Sequence, residues 1–162
     1  MLKRILKNER GLTLIELLAV IVIIGIVSAI AVPSVGNIIE NSRRDAHVAN
    51  ARMLIDATRM AITADGLKKA NNNGNIIYTI GDLETGGFLR DIKVPGENFN
   101  YESGASFVEV KNGGSVTVPN FQYIVTLDAA TRTSPYIDGE DEESLDRGVV
   151  DMDDDGNADG VD

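Results

Sequence analysis

The sequence predicts an α+β protein in which one long N-terminal α-helix packs against a small antiparallel β-sheet. Three stretches of the chain predict this class. Residues 12–32 are almost entirely apolar, residues 38–67 repeat apolar side chains at spacings of three and four, and residues 105–127 alternate apolar with polar side chains. The last two spacings are those of a helix and of a strand. Little between residues 12 and 65 disfavours a helix, so we expect one continuous helix of roughly 50 residues.

The apolar stretch at residues 12–32 is long enough to cross a membrane. Fourteen of its 21 residues are Leu, Ile or Val, and its one charge is Glu16. A helix of this length rises about 31 Å, the thickness of a hydrocarbon core. Because the basic residues precede the stretch, we expect a single-pass precursor in the cytoplasmic membrane with its globular region outside. A cleaved secretory signal ending at Ala29-x-Ala31 is the alternative, but such a signal needs no acid in its apolar core.

Residues 10–18, Arg-Gly-Leu-Thr-Leu-Ile-Glu-Leu-Leu, resemble the class III signal of type IV pilins and pseudopilins. The resemblance implies that a prepilin peptidase removes the basic leader by cutting between Gly11 and Leu12. It also implies that Leu12 is then N-methylated and that Glu16, fifth in the processed chain, pairs with the N-terminal amine of a neighbouring subunit. Gly25 and Pro33 stand where many members of the family have helix-weakening residues that serve assembly.

The resemblance implies the pilin fold and the following organisation. The leader is residues 1–11, the transmembrane and filament-core helix is 12–35, and the globular region is 36–162. Within the globular region we expect an amphipathic helix at 36–66, a connecting αβ-loop at 67–104, the sheet at 105–128 and an acidic C-terminal region at 129–162.

The amphipathic helix has an apolar stripe that we assign to the core, namely Ala46, Ala49, Met53, Ala57, Met60, Ala64 and Leu67. The opposite side carries Arg43, Arg44, Arg52 and Arg59, which we interpret either as salt-bridge partners of neighbouring subunits or as a solvated face. We expect His47, on the same side, to lie at the surface.

Strands are predicted at residues 105–111, 115–118 and 120–127, with a turn at 112–114. In the last strand, alternate residues from Phe121 to Leu127 share one face. Residues 79–89 predict a short helix that ends at glycine.

The acidic end of the chain has the spacing of a calcium loop. Residues 151–162 fit D-x-D-x-D-G-x-x-D and resemble EF-hand-like, dockerin-like and thrombospondin-type loops. In such loops oxygen ligands stand at positions 1, 3, 5, 7, 9 and 12, and glycine stands at position 6. The ligands would be Asp151, Asp153, Asp155, the Asn157 carbonyl, Asp159 and Asp162. A solvated acidic tail is the alternative, and it is the interpretation that we favour for the other acidic run, residues 138–146.

Composition excludes several classes of function. The chain has 162 residues, a net charge of −10, no cysteine and one histidine. It therefore has no disulfide, no Cys-ligated metal and no multi-histidine metal site. No nucleophile, base and orienting group can be assembled, so we expect no enzyme activity.

With these observations, the resemblance to type IV pilins implies the structural subunit of an extracellular type IV pilus filament. Its partners would be copies of itself, the prepilin peptidase and the inner-membrane pilus assembly machinery. The alternative is a calcium-binding pseudopilin of a type II secretion system. A DNA-binding competence pilin is disfavoured, since the processed chain has 11 Lys and Arg against 24 Asp and Glu, and we expect no nucleic-acid partner.

Overall fold

A computed structural model of the chain describes residues 9–65, 75–112 and 120–158. The predicted strand at 115–118, part of the predicted turn at 112–114, and the candidate ligands Asp159 and Asp162 lie outside these residues. The elements, in chain order, are helix α1 (Glu9–Asp65), strand β1 (Ile76–Thr79), helix α2 (Ile80–Thr85), and strands β2 (Phe107–Asn112), β3 (Phe121–Leu127) and β4 (Ile137–Asp141). Two short 3-10 helices, Glu142–Ser144 and Arg147–Val149, follow.

Helix α1 is continuous, as the sequence predicts, and Pro33 lies inside it. Contacts divide the chain into two units, one ending at Glu40 and the other beginning at Asn41. We call the described part of the first unit the stem (residues 9–40) and that of the second the head (residues 41–158). The division lies five residues beyond the boundary expected at 35.

The head contains a four-stranded antiparallel sheet in the order β1-β2-β3-β4. Val108 pairs with Tyr78 on one side and with Val125 on the other, so these buried side chains lie next to one another across three strands. A register shift between Val125 and Leu127 interrupts the pairing of β3 with β4. The buried residues of α1 between Val48 and Ala61 and the inward face of the sheet belong to a single apolar core, which confirms the predicted α+β class.

The sheet extends beyond the predicted range 105–128 at both ends. β1 is a short run of four residues inside the region expected to be a loop. β4 lies in the acidic run that we expected to be a solvated loop, and of its residues only Ile137 is buried. An edge strand can keep polar side chains in water while its backbone pairs on one side. The polar composition of this run therefore gave no signal of a strand.

The face of α1 that is buried differs in part from the predicted one. Met53 and Met60 are 51% and 53% exposed, and Ala49 and Ala64 are exposed as well, so their assignment to the core was wrong. Ala57 is buried as predicted, and Leu67 lies outside the described residues. The core face carries Val48, Ala51, Leu54, Ile55, Ala57, Thr58 and Ala61. These residues also have helical spacing, and they include the larger branched side chains, which bury more apolar area than alanine.

The predicted short helix is present as α2. Thr79 begins it with a capping box, because its hydroxyl accepts from the N–H of Asp82 at 3.1 Å and its own N–H donates to the Asp82 carboxylate at 3.2 Å. Such reciprocal bonds satisfy two amides at the helix start. The helix ends at Gly86, as the glycine-rich sequence indicates.

Candidate functional site

The stem presents an apolar surface on all sides. All 16 of its Leu, Ile and Val side chains from Leu14 to Ile39 are between 51% and 71% exposed. Helix α1 includes a stretch with mean hydropathy 2.9, which is long and apolar enough to cross a membrane. A helix that is apolar all round is stable only in a bilayer or inside an assembly. The stem is therefore built to be covered.

Glu16 is the acid of this apolar surface. Its side chain is exposed, and its neighbours Ile15 and Leu17 are apolar and exposed as well. A carboxylate in such surroundings is costly to bury without a cation. Gly11 and Leu12, between which the cleavage is predicted, lie in the N-terminal part of α1.

Gly25 leaves the helix surface open, since a side chain placed there would meet nothing within 4 Å. Within a single chain, neither the backbone conformation nor the space at this position therefore requires glycine. Pro33 is accommodated inside the helix, where it removes one backbone hydrogen bond.

In the acidic loop, the first three predicted ligands converge. Carboxylate oxygens of Asp151, Asp153 and Asp155 lie within 4.8 Å of one another. Asp151 is buried, and its two oxygens accept from the backbone N–H groups of Asp154 at 2.7 Å and Gly156 at 3.0 Å. Gly156 has φ of 83°, the left-handed conformation that glycine adopts without strain. Asn157 is exposed, and its N–H donates to Asp155 at 2.7 Å.

Arg132 holds this loop against the rest of the head. Its guanidinium is 3.0 Å from the Asp151 carboxylate, and the two side chains are only 8% and 6% exposed. It also donates to the carbonyls of Asp151 at 3.0 Å, Met152 at 3.2 Å and Ser134 at 3.0 Å. The guanidinium lies 4.2 Å from the ring centroid of Tyr136. One side chain thus joins two segments of the C-terminal region.

Asp154, between the candidate ligands, points the other way. Its carboxylate accepts from the N–H of Ser134 at 2.8 Å and of Thr133 at 3.0 Å. These hydrogen bonds, with a smaller contribution from Arg132, lower the pKa of Asp154 below its ordinary value. Its φ of 66° turns the chain so that residues 153 and 155 remain on the side of Asp151.

The comparison with known families concerns the first part of the chain. Residues 6–32 match the family model described as the prokaryotic N-terminal methylation motif. The match covers 27 of the 162 residues, and it supports the resemblance to type IV pilins and pseudopilins without distinguishing between the two. No curated protein and no solved structure matches the chain.

The motif supports what is common to pilins and pseudopilins. It implies a precursor that a prepilin peptidase processes and that assembles in a pilus or in a secretion system, and the apolar helix near the N-terminus fits a membrane anchor. The motif also points to a structural protein rather than an enzyme.

The pilin-like head fastens its C-terminal region to helix α1 with arginines. Arg44 donates to the Val150 carbonyl at 3.2 Å, Arg52 donates to the Leu145 carbonyl at 2.8 Å, and Arg59 pairs with Glu142. A fourth arginine reaches back from the other side, since Arg147 makes two hydrogen bonds to Asp45, at 2.8 and 3.0 Å. The burial of Arg44 contradicts a solvated face at that residue, whereas Arg52 is exposed and Arg59 is half-buried. Pairing of these arginines with neighbouring subunits stays a prediction.

His47, expected at the surface, is completely buried. Its Nδ1 lies 2.7 Å from the hydroxyl of Tyr101, and its ring lies over Tyr136 with the centroids 4.2 Å apart. Among the buried side-chain atoms of the described residues, its Nε2 is without a hydrogen-bond partner. Burial, with the charges of Arg132 and Arg43, lowers the pKa of His47 from 6.5 to about 4. The sequence signal for this site is that His47, Ala51 and Leu54 share one face of the helix.

Proposed function

We propose that this chain is the subunit of an extracellular type IV pilus filament. The observation that carries the proposal is the stem, which exposes 16 large apolar side chains after the predicted cleavage site, 13 of them within the matched motif. In the precursor the bilayer covers them, and in the filament the stems of neighbouring subunits do. Burial of apolar surface contributes about 25 cal/mol per Å², so a stem of this length provides a large driving force for assembly.

Glu16 gives this otherwise uniform surface a register. Apolar contacts are non-directional, so stems could slide past one another at little cost. A buried carboxylate without a cation is strongly unfavourable, and cleavage after Gly11 creates one cation nearby, the amine of Leu12. Pairing between Glu16 of one subunit and this amine of the next selects one axial offset. Repetition of the same offset produces an open helical filament.

We propose further that the acidic loop binds Ca²⁺. Asp151, Asp153 and Asp155 offer the carboxylate oxygens that a hard cation prefers, at positions 1, 3 and 5 of the pattern. Oδ2 of Asp151 retains a lone pair beside its hydrogen bond from the Gly156 N–H, whereas Oδ1 already contacts the Asp154 N–H and Arg132. When bound, the cation would remove the repulsion among the three carboxylates. The Asn157 carbonyl, Asp159 and Asp162 are the proposed remaining ligands.

The second candidate function is a calcium-binding pseudopilin of a type II secretion system. The convergence of three aspartates in the loop favours it, because it supports the calcium site that this alternative includes. The two functions share the stem and differ in what the cell builds from it, a long surface filament or a short periplasmic piston.

Electron microscopy of sheared surface material, combined with mass spectrometry of its subunits, separates the two. We expect long filaments composed of this chain, with N-methylated Leu12 as the first residue. A strain in which Gly11 is replaced by a bulky residue is the control, and it should retain the uncut precursor in its membranes. A processed chain that is found only in the cell envelope, without filaments, would contradict the pilus and favour the pseudopilin.

A further inference from the structure

The head has an apolar groove that its own chain leaves open. It has a volume of about 960 Å³ and lies between helix α1, the segment 88–90 and the segment 145–147. Met53 and Met60 line it and are half exposed. Both residues lie well beyond the apolar stretch 12–32 in the sequence, so a bilayer does not explain their exposure. Flexible methionine side chains suit a surface that packs against another apolar element.

The rim of this groove is electrically balanced. Three arginines, Arg52, Arg90 and Arg147, stand there beside three acids, Asp45, Asp56 and Asp146. The processed chain as a whole has 24 acids against 11 bases, so copies of it repel one another over most of their surface. The groove is a place where a second copy can approach without adding to that repulsion.

The chain has a second uncovered surface that fits the first. Val35, Ile38 and Ile39 are exposed, and their spacing of three and four puts them on one side of helix α1. They follow the 21 residues that suffice to cross a membrane, so the bilayer does not account for them. Residues 33–39 carry no charge, which matches the balanced rim. An amphipathic helix that lays its apolar side into a groove is a common mode of recognition.

We propose that the groove of one subunit receives the Val35–Ile39 segment of a second copy of this chain. The inference rests on the proposed filament. Because the two surfaces are different, the contact is heterologous and each subunit can use both surfaces at once. It adds a contact between head and stem to the register that Glu16 selects.

Cysteine cross-linking tests the contact, because the chain has no cysteine of its own. Filaments of a variant with Ile38→Cys and Met53→Cys are treated with a short bismaleimide and analysed on a denaturing gel. A heterologous contact predicts a ladder of dimers, trimers and longer products, at least tenfold more abundant than in either single variant. The matched control combines Ile38→Cys with Gln122→Cys, an exposed position on β3 that does not line the groove.

A second pair, Val35→Cys with Ala49→Cys, has nearly the same offset along the helix and serves if the first pair prevents assembly. Filaments that give no ladder, or the same ladder in the control pair, overturn the contact and leave the pilus intact. Dimers in Met53→Cys alone would mean that groove faces groove, which also overturns it. Absence of filaments from the unmodified chain would instead refute the proposed function on which the contact depends.

Discussion

The stem and the head solve opposite problems with the same helix. In the stem, α1 exposes its large apolar side chains from Leu14 to Ile39, and Glu16 is the one acid among them. In the head, the same helix buries one face in a core, and its arginines reach the C-terminal region. The head satisfies its apolar and polar groups within one chain, whereas the stem leaves them for a bilayer or a neighbouring subunit. A substitution in the stem should therefore affect assembly alone, and one in the head should affect folding first.

Glu16→Leu should give the largest effect, and on assembly alone. The substitution makes the stem more apolar, so membrane insertion is retained. The Leu12 amine loses its partner, and an unpaired buried charge costs about 3–5 kcal/mol. Because of that cost, we expect the filament yield to fall by about tenfold or more, while the membrane holds normal amounts of processed chain. Val20→Leu is the control and should assemble normally. Wild-type yield from Glu16→Leu would show that this carboxylate does not select the register.

Arg132→Ala should be the most damaging change in the head. Arg132 and Asp151 form a buried ion pair, and removal of one partner leaves an uncompensated charge at a cost of about 3–5 kcal/mol. Denaturant unfolding of the soluble head, freed of residues 1–35, measures it, since the buried residues of the described chain begin at Arg44. Arg90→Ala, at an exposed arginine, is the matched control and should change the free energy of unfolding little. Equal stability of both variants would show that Arg132 does not hold the C-terminal region.

The sequence predicted the stem well and the head only in part, for a physical reason. The apolar stretch and the processing motif are local, so they can be read from neighbouring residues. The class of the head, helix α2 and strands β2 and β3 also have local signals. The edge strands β1 and β4 do not, because their pairing depends on a partner distant in sequence.

The choice of buried helix face failed for the same reason. Two stripes of α1 have helical spacing, one with Met53 and Met60 and one with Leu54 and Ile55. Only the position of the sheet decides between them. The burial of His47 follows from that choice, and so does the role of the arginines, whose partners lie about 83 to 106 positions along the chain. In the acidic loop Asp151, Asp153 and Asp155 meet because the turn that brings them together is local, and their role as metal ligands stays a prediction.

His47 should make the free energy of unfolding of the head fall at acidic pH, an effect smaller than that of Arg132→Ala. Its pKa is lowered to about 4 by burial, while an unfolded histidine titrates near 6.5. The unfolded chain therefore binds a proton more readily, and the free energy of unfolding should fall by about 3 kcal/mol as pH drops from 6.5 to 4. The Asp154 contribution is lost only below its ordinary pKa of 3.8, so it falls outside this range. Urea unfolding of the head at several pH values should show the slope, and His47→Gln should flatten it. An unchanged slope in His47→Gln would assign the acid sensitivity to other groups.

Calcium should have the smallest effect, a rise in the melting temperature of the head. The empty loop holds the carboxylates of Asp151, Asp153 and Asp155 close together, and Arg132 neutralises one of them. A cation that binds only the folded state adds about 2.7 kcal/mol at a hundredfold excess over Kd. The melting temperature of the head should therefore rise by several degrees with millimolar Ca²⁺ relative to chelator. Asp153→Asn with Asp155→Asn should abolish the rise, while Asp138→Asn with Glu140→Gln, which removes the same charge from β4, should keep it. If both double variants lose the rise equally, general charge repulsion explains it, and the loop is a solvated acidic segment that Arg132 holds without a metal.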